Sequence, residues 1–477
     1  MSSTLKPVIL FSDGVQSYSQ VVTAQRRLNC FFDPRPDQDK NGAVVRGTPG
    51  TLKVFTLPTF PIRGMYIANS LLYVVAGAVL YSITSAGVIT SLGTITVGTD
   101  KVSMSDNGIE LILVDGIFGY ILTFATNVFA KIVDANFPNG ARTVSFLNGR
   151  FQVERFGTRQ YFVSQSYAGA TWTPVTFATK ENSSDVLLAV EVLNGNLILW
   201  GQQSIEVWQD VGAAGIPYQR INGATQTWGL AAIWSRAKLN NSEIFLGQNP
   251  QGTVQVLMLN GYTPVRVSTA DIENIINSFS TFTDAVALTY TIDGHSMYQL
   301  TFPTGNRSLL YDATTGKWGE TQTGLGLIAR HYGELGIVFN TINYVSDFSS
   351  GNIYQLSDST FTDNGTPIKR QVRSRHVRLS ENVLGLDELY LDMETGVGIQ
   401  NGQGSDPQIM LQTSKDGGRT FGYERWTSMG KVGQFLSPRV MFRRLGSGRD
   451  FVFQFTMTDP VKFIITSGAV TMRGEQG

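Results

Sequence analysis

A unit of roughly 35–42 residues recurs along most of this chain, the period of propeller blades, and no other feature limits the possible folds as much. Each copy holds about four short runs rich in Val, Ile, Leu, Phe and Tyr, joined by turn dipeptides. Thirteen Asn-Gly or Asp-Gly dipeptides occur, and these favour two-residue turns whose twist matches that of paired antiparallel strands. The copy that begins at Arg142 displays the pattern. Thr143–Leu147 alternates, Asn148-Gly149 turns, Arg150–Phe156 returns, Gln160–Ser164 follows and Trp172–Phe177 closes. The same order runs through Leu188–Leu193, Asn194-Gly195, Leu197–Trp200, Ile205–Trp208 and Tyr218–Ile221. It returns in Val286–Ile292, Asp293-Gly294, Ser296–Phe302, Ser308–Tyr311 and Lys317–Thr321. Further copies fall near Met65–Leu92, Val102–Val133, Ile233–Val267 and Leu327–Phe361. The fold class expected is all-β, a β-propeller of about six to seven four-stranded blades over residues 61–366.

Outside the repeat the pattern changes. Helical periodicity is confined to Thr269–Phe279, where Ile272, Ile275, Ile276 and Phe279 share one face. Ser268 or Thr269 can cap this helix, and Asp271 and Glu273 stand at the positive end of its dipole. From Pro367 strands lengthen and charges become denser. Gln371–Leu379, Glu388–Glu394, Gln408–Ser414, Arg439–Leu445, Phe451–Met457 and Val461–Thr466 read as antiparallel strands of a C-terminal β-sandwich-like domain, 367–477. Residues 1–60 hold the prolines from Pro34 to Pro49 and the polar run Asp37–Asn41. They read as an extended N-terminal arm that packs on something else, with Leu52–Leu57 entering the propeller.

Composition excludes several functions. The 37 basic and 37 acidic residues balance, which argues against electrostatically driven binding to nucleic acid or an anionic membrane. A single cysteine, Cys30, rules out an intrachain disulfide and a cysteine-based zinc site; between apolar neighbours it reads as a small buried hydrophobe. The densest apolar stretch, Ile67 to Ile83, is interrupted by Asn69, Ser70, Gly77 and Ser82, so no membrane-spanning segment is expected. Met1 to Ser12 does not read as a signal peptide. His295, His331 and His376 lie in different units without a catalytic motif and read as turn or surface histidines. Gly212–Gly215 lacks the Lys-Ser/Thr of a phosphate loop. No catalytic, cofactor-binding or metal-ligating residue is assigned, and no cofactor is expected.

Two local features remain. Ser414, Asp416, Gly418 and Thr420 resemble the Asp-box of sialidases and related propellers, a hairpin whose Asp accepts backbone and hydroxyl hydrogen bonds, and so read as a structural turn. Basic residues cluster as Lys369, Arg370, Arg373, Arg375 and Arg378, and again as Arg439, Arg443, Arg444 and Arg449. Arg373 and Arg375 share strand parity and are expected on one face. This candidate interaction surface is open to three readings: a solvated outer face, a nucleic-acid site, or an interface with an acidic partner. Stacking aromatics are missing around 369–378, against single-strand binding. Only 16% of residues are charged, little polar cover for a free monomer, which favours a large assembly.

Four stretches carry a family resemblance. They are Leu147-Asn148-Gly149-Arg150-Phe151, Leu199 to Trp208 with its Ser204-Ile205-Glu206-Val207-Trp208 ending, the helix Ala270 to Phe279, and Asn29-Cys30 followed by Arg46-Gly47-Thr48-Pro49-Gly50. In these the chain resembles the tail nozzle (hub) proteins of short-tailed bacteriophages, the packaged-DNA stabilisation family, well over 142–311 and loosely over 28–360. From 367 only the general strand pattern is similar. The resemblance implies a virion tail protein assembled in the host cytoplasm, without membrane insertion of its own. It implies a homohexameric ring below the portal and its head-to-tail adaptor, extending the channel for duplex DNA. Its other partners would be tailspike or fibre proteins and a distal plug or needle. The alternative is a glycan-binding or sialidase-like propeller, which requires an arginine cluster and a Tyr/Glu pair in the propeller mouth.

Overall fold

The computed structural model describes all residues except 1–3, 9, 12–14, 16, 18, 35–42, 379–382, 435–438 and 476–477. The polar run Asp37–Asn41, the predicted strand end at Leu379 and the extreme N-terminus at Met1 lie outside the described residues.

Seven antiparallel sheets succeed one another along the chain: blade 1 over 62–94, blade 2 over 103–131, blade 3 over 144–179, blade 4 over 187–220, blade 5 over 229–266, blade 6 over 286–321 and blade 7 over 333–357. The hairpins form where the dipeptides demand them. Asn148 and Gly149 have φ of 48° and 87°, and Asp293 and Gly294 have 48° and 81°, the left-handed pair that a type I′ turn needs. Apolar side chains interdigitate between every pair of neighbouring blades. Blade 7 meets blade 1 through Ile353 and Phe339 against Leu72 and Val74, so the ring of blades is closed. The fourth strand of blade 7 comes from the N-terminal side: Gly50–Thr56 pairs antiparallel with Asn352–Ser357. Joining the two ends of a propeller in one sheet removes an open edge.

The helix expected between blades 5 and 6 is Ala270–Asn277, capped by Thr269, whose hydroxyl accepts from the Ile272 amide at 3.4 Å. Ile272 and Ile276 are buried against Tyr298, Leu300 and Trp318. No helix among the described residues is long and apolar enough to cross a membrane.

The N-terminal arm finds its packing partner within the chain. Cys30–Pro34 and Ala43–Gly47 join Ile464–Glu475, Val383–Met393 and Arg439–Gly448 in one sandwich sheet. Arg26–Leu28 joins Arg370–Arg373, Val452–Met457, Gln408–Ser414 and Arg425–Ser428 in the other. Leu28 also pairs in parallel with Glu320 on the outer strand of blade 6, so propeller and sandwich share one continuous sheet. Cys30 is buried beside Phe32, Val372 and Phe453, and burial pushes its thiol up to about 12. The strand expected over Gln371–Leu379 stops at Arg373. Beyond it the Ser374 hydroxyl accepts from the Phe453 amide at 2.9 Å and the Arg375 amide donates to the Leu10 carbonyl, which turns the backbone toward the N-terminal segment.

The histidines correct the sequence reading in part, since His295, although it closes the Asp293-Gly294 turn, and His331 are both buried rather than at the surface. His295 packs edge-on against Phe31 and its Nδ1 lies 2.8 Å from Asp312 Oδ2. His331 stacks on Tyr332, and its Nδ1 accepts from the Gly333 amide at 3.0 Å, which fixes it as the neutral ring. Burial pushes His331 down to about 4. A lowered folded value means the unfolded chain takes up the proton first, so the neutral ring's stability is complete above about 6.5 and lost as pH falls toward 4. The gap corresponds to about 3 kcal/mol. His331→Asn, whose amide oxygen can accept from Gly333, is expected to flatten denaturant-unfolding stability over that window; an unchanged slope would contradict the assignment.

Candidate interaction surfaces

The basic residues singled out in the sequence do not form one surface. Arg370, on the sandwich strand Arg370–Arg373, is 1% exposed; its guanidinium packs over Gly47 and lies 5.8 Å from the Phe361 ring. A buried side chain belongs to no outer face. Arg373 turns to the seam between sandwich and propeller, where Nε donates to Gln454 Oε1 at 2.6 Å and the guanidinium lies 4.8 Å from the Phe421 ring. Lys369 faces the same seam and donates to the Gly326 carbonyl at 3.3 Å. Arg375 is exposed beyond the strand end, so shared parity does not align it with Arg373.

Arg378, Arg439 and Arg443 are neutralised where they stand. Arg378 Nη2 lies 2.8 Å from Asp450 Oδ2, which also takes His376 Nδ1 at 2.8 Å. Arg439 donates to Asp392 at 2.8 Å and Arg443 to Glu388 at 3.1 Å. Arg444 adopts a positive φ of 58° at a bend, its carbonyl accepting from Arg425 at 2.9 Å. Arg449 is exposed. Arg378, Arg439 and Arg443, each matched by a carboxylate, make a weak phosphate track, because binding must first break the existing pair.

The Asp-box-like turn is built from its own side chains. Asp416 accepts from the Thr420 hydroxyl at 2.6 Å, the Thr420 amide at 3.0 Å and the Arg419 amide at 3.0 Å, and from the Ser414 hydroxyl at 2.6 Å. Hydrogen bonds from the Ser414 and Thr420 hydroxyls hold its carboxyl well below the usual range. Gly418 has φ of 88° and abuts Ala24 of the N-terminal segment, so the turn clamps that segment.

Inner strands of blades 1 to 4 and the start of blade 5 surround a cavity of about 500 Å³ in the propeller mouth. Arg236 is the one arginine among its lining residues, and it pairs with Glu191 and lies 3.5 Å from Glu243. Burial and the neighbouring Glu191 push Glu243 well up. Tyr66 donates to Asp106 at 2.9 Å rather than to a glutamate. The arginine cluster and Tyr/Glu pair of a sialidase-like site are not assembled by these residues.

Family models for the bacteriophage P22 Gp10 β-propeller and β-sandwich match residues 12–361 and 369–473. The chain belongs to the P22 Gp10 family. This is the tail nozzle and packaged-DNA stabilisation family, and the chain is therefore a structural phage tail protein. A search of curated proteins finds no match. Among solved structures, a chain of the mitotic checkpoint complex is 13% identical, covering 68% of this chain and 93% of that one with a TM-score of 0.40. The WD40 propeller domain of Doa1 is 11% identical, covering 65% and 95% with a TM-score of 0.38.

The signature residues of this Gp10 family member act as internal ties. Glu206 is buried and accepts from the Asn182 amide at 2.7 Å and from Trp208 Nε1 at 3.1 Å, anchoring the connection from blade 3 to blade 4. Asn29, with φ of 52°, exchanges hydrogen bonds with Gln322 and donates to the Lys369 carbonyl, stapling arm, blade 6 and sandwich together. Arg150 donates to the Ser164 carbonyl at 2.9 Å. Sequence reading missed Arg26 and Arg307, which meet Arg373 at the seam; the Arg26-Arg27 pair ahead of Asn29 was the available signal for the first.

Proposed function

We propose that this chain is the subunit of a homohexameric ring below the portal and its adaptor, forming a DNA channel that helps retain the packaged genome and conducts it during ejection. Membership of the Gp10 family across both the propeller and the sandwich carries the reading. In it the chain sits in the virion tail after assembly in the host cytoplasm, bears tailspike or fibre attachments, and is closed distally by a plug or needle. It performs no catalysis.

Two physical features support this. Outer strands of the adjacent blades 2 and 3 expose Val128, Val175 and Phe177, and the connection between these blades exposes Val133 to 89%. Lateral contacts of a cyclic ring are heterologous, one flank against a different flank of the next subunit, and such apolar rims suit them. The channel must pass duplex DNA without gripping it, since every neutralised phosphate adds salt-dependent affinity. Pairing of Arg378, Arg439 and Arg443 with acidic neighbours fits a wall of that kind, or a face turned away from the lumen.

The test is addition to portal–adaptor particles. Native protein is expected to add as a ring and to make the particles retain DNA. Val175→Asp, at an exposed position where the monomer's stability changes by no more than about 0.5 kcal/mol, is expected to abolish both. Retention that is equal with and without the protein would refute the reading.

A further inference from the structure

A cavity of about 460 Å³ opens at the seam where the N-terminal segment, the helix, blade 6 and the sandwich meet. Arg26, Arg307 and Arg373 line it. Arg26 grips Glu320 in a fork, Nε to Oε1 at 3.1 Å and Nη2 to Oε2 at 2.9 Å. Arg307 takes the same carboxylate from a second side, Nη2 to Oε1 at 2.9 Å. One buried glutamate thus serves two arginines.

Arg373 brings a third cation with no carboxylate of its own. It is the direct cross-strand partner of Arg26, and like charges opposite one another on a sheet destabilise it. Its Nε is held by the neutral Gln454, and its terminal nitrogens have no acceptor among the described residues. Burial and the nearby Arg26 pull Arg373 down to about 10, and the same two causes lower Lys369. Asp271 is the one acid among the described residues that line the cavity. A seam that gathers positive charge against its own stability is organised for an anion.

The rim says which kind. Leu327 and Ile328 line the cavity from the connection between blades 6 and 7 and are 83% and 57% exposed, and Ile275 of the helix lines it too. An aliphatic rim beside arginines offers nothing to a phosphodiester backbone, and a duplex is too wide to follow a recess of this size. A carboxylate side chain flanked by Leu, Ile or Val satisfies both parts, the carboxylate through charge-assisted fork hydrogen bonds and the aliphatics through burial.

We propose that this seam is a docking site for a peptide segment of another tail protein, an Asp or Glu flanked by aliphatic residues, with the terminal nitrogens of Arg373 holding the carboxylate and Leu327 and Ile328 covering its neighbours. That the partner belongs to the tail rests on the proposed function; the peptide chemistry does not.

An array of short overlapping peptides tiling the other virion proteins of the same phage tests it with purified full-length chain. Retained peptides are expected to carry Asp or Glu beside Leu, Ile or Val. Arg373→Gln is expected to weaken the best of them about tenfold, the loss of one charge-assisted bond. Leu327→Asp, at an exposed position that cannot disturb folding, should weaken it at least as much, so a poorly folded Arg373 variant would not decide the matter. No retained peptide, retention without an acidic bias, binding of native strength by both variants, or displacement by duplex DNA at lower concentration than by free peptide would each overturn the proposal. Ring addition is read separately through Val175→Asp on blade 3, so a failure of the ring and a failure of the docking site are distinguishable.

Discussion

Replacing Gly50 by valine is expected to unlatch the propeller, lowering its stability by about 3 kcal/mol or more. Gly50 opens the strand that completes blade 7, and its amide donates to the Thr360 carbonyl at 2.8 Å. A Cβ at this position would lie 2.4 Å from the Thr360 carbonyl oxygen and 2.5 Å from that of Thr362. Both obstacles are backbone, so no rotamer change relieves them and the strand must move. Moving it breaks the pairing with Asn352–Ser357 and exposes the core shared by blades 7 and 1. Leu52 on the same strand is 46% exposed, and Leu52→Lys should stay within about 0.5 kcal/mol of native. Urea midpoints of the two variants, with proteolysis near residue 50 as a second readout, check this. A Gly50→Val protein that unfolds with the native midpoint would show that the latch is not under steric control.

That latch marks the limit of what the sequence made legible. The blades were readable because each hairpin is local: the strand pair and its Asn-Gly or Asp-Gly turn lie within one short stretch, and the turn residues name the turn type. Hence Val286–Ile292 and Lys317–Thr321 coincide with the observed strands. Closure is not local. Nothing near Gly50 announces a partner at Ser357, although Leu52–Leu57 was expected to enter the propeller. The sandwich strands of the arm were missed for a related reason, since Arg26–Leu28 has three residues, too few for any periodicity to register. The basic cluster failed differently. Proximity in sequence joined Arg370, Arg373 and Arg375, whereas the fold buries the first, aims the second at the seam and releases the third beyond a strand end. The charges that do converge, Arg26, Arg307 and Arg373, come from arm, blade and sandwich.

Charge neutrality acquires a physical meaning once the partners are known. Many of the described cations stand in internal pairs or donate to carbonyls, so a balanced total coexists with a cationic seam between arm, blade 6 and sandwich. Fixed shape suits a tail component, and the buried cations of the blades help to fix it.

Arg63 is the clearest of these, and Arg63→Met is expected to cost about 3–5 kcal/mol. The residue lies on the innermost strand of blade 1, Ile62–Ala68, and is 2% exposed. Its guanidinium donates to the carbonyls of Asp100 at 2.6 Å, Gly77 at 3.0 Å and Thr96 at 2.9 Å. One planar fork therefore ties a turn of blade 1 to the connection that leads into blade 2. Methionine fills most of the volume but leaves three carbonyls facing an apolar chain, and each unsatisfied buried acceptor costs about 1–3 kcal/mol, less where water can enter. Arg63→Lys should recover part of the loss, because one ammonium cannot reach three acceptors placed around a planar group. The connection is expected to loosen before the blade does, so limited proteolysis should cut near residues 96–100 in the methionine variant at a denaturant concentration that leaves native protein intact. Should Arg63→Met unfold within about 1 kcal/mol of native and resist cleavage there, the three carbonyls have other donors, and the guanidinium is not what fixes blade 1 to blade 2.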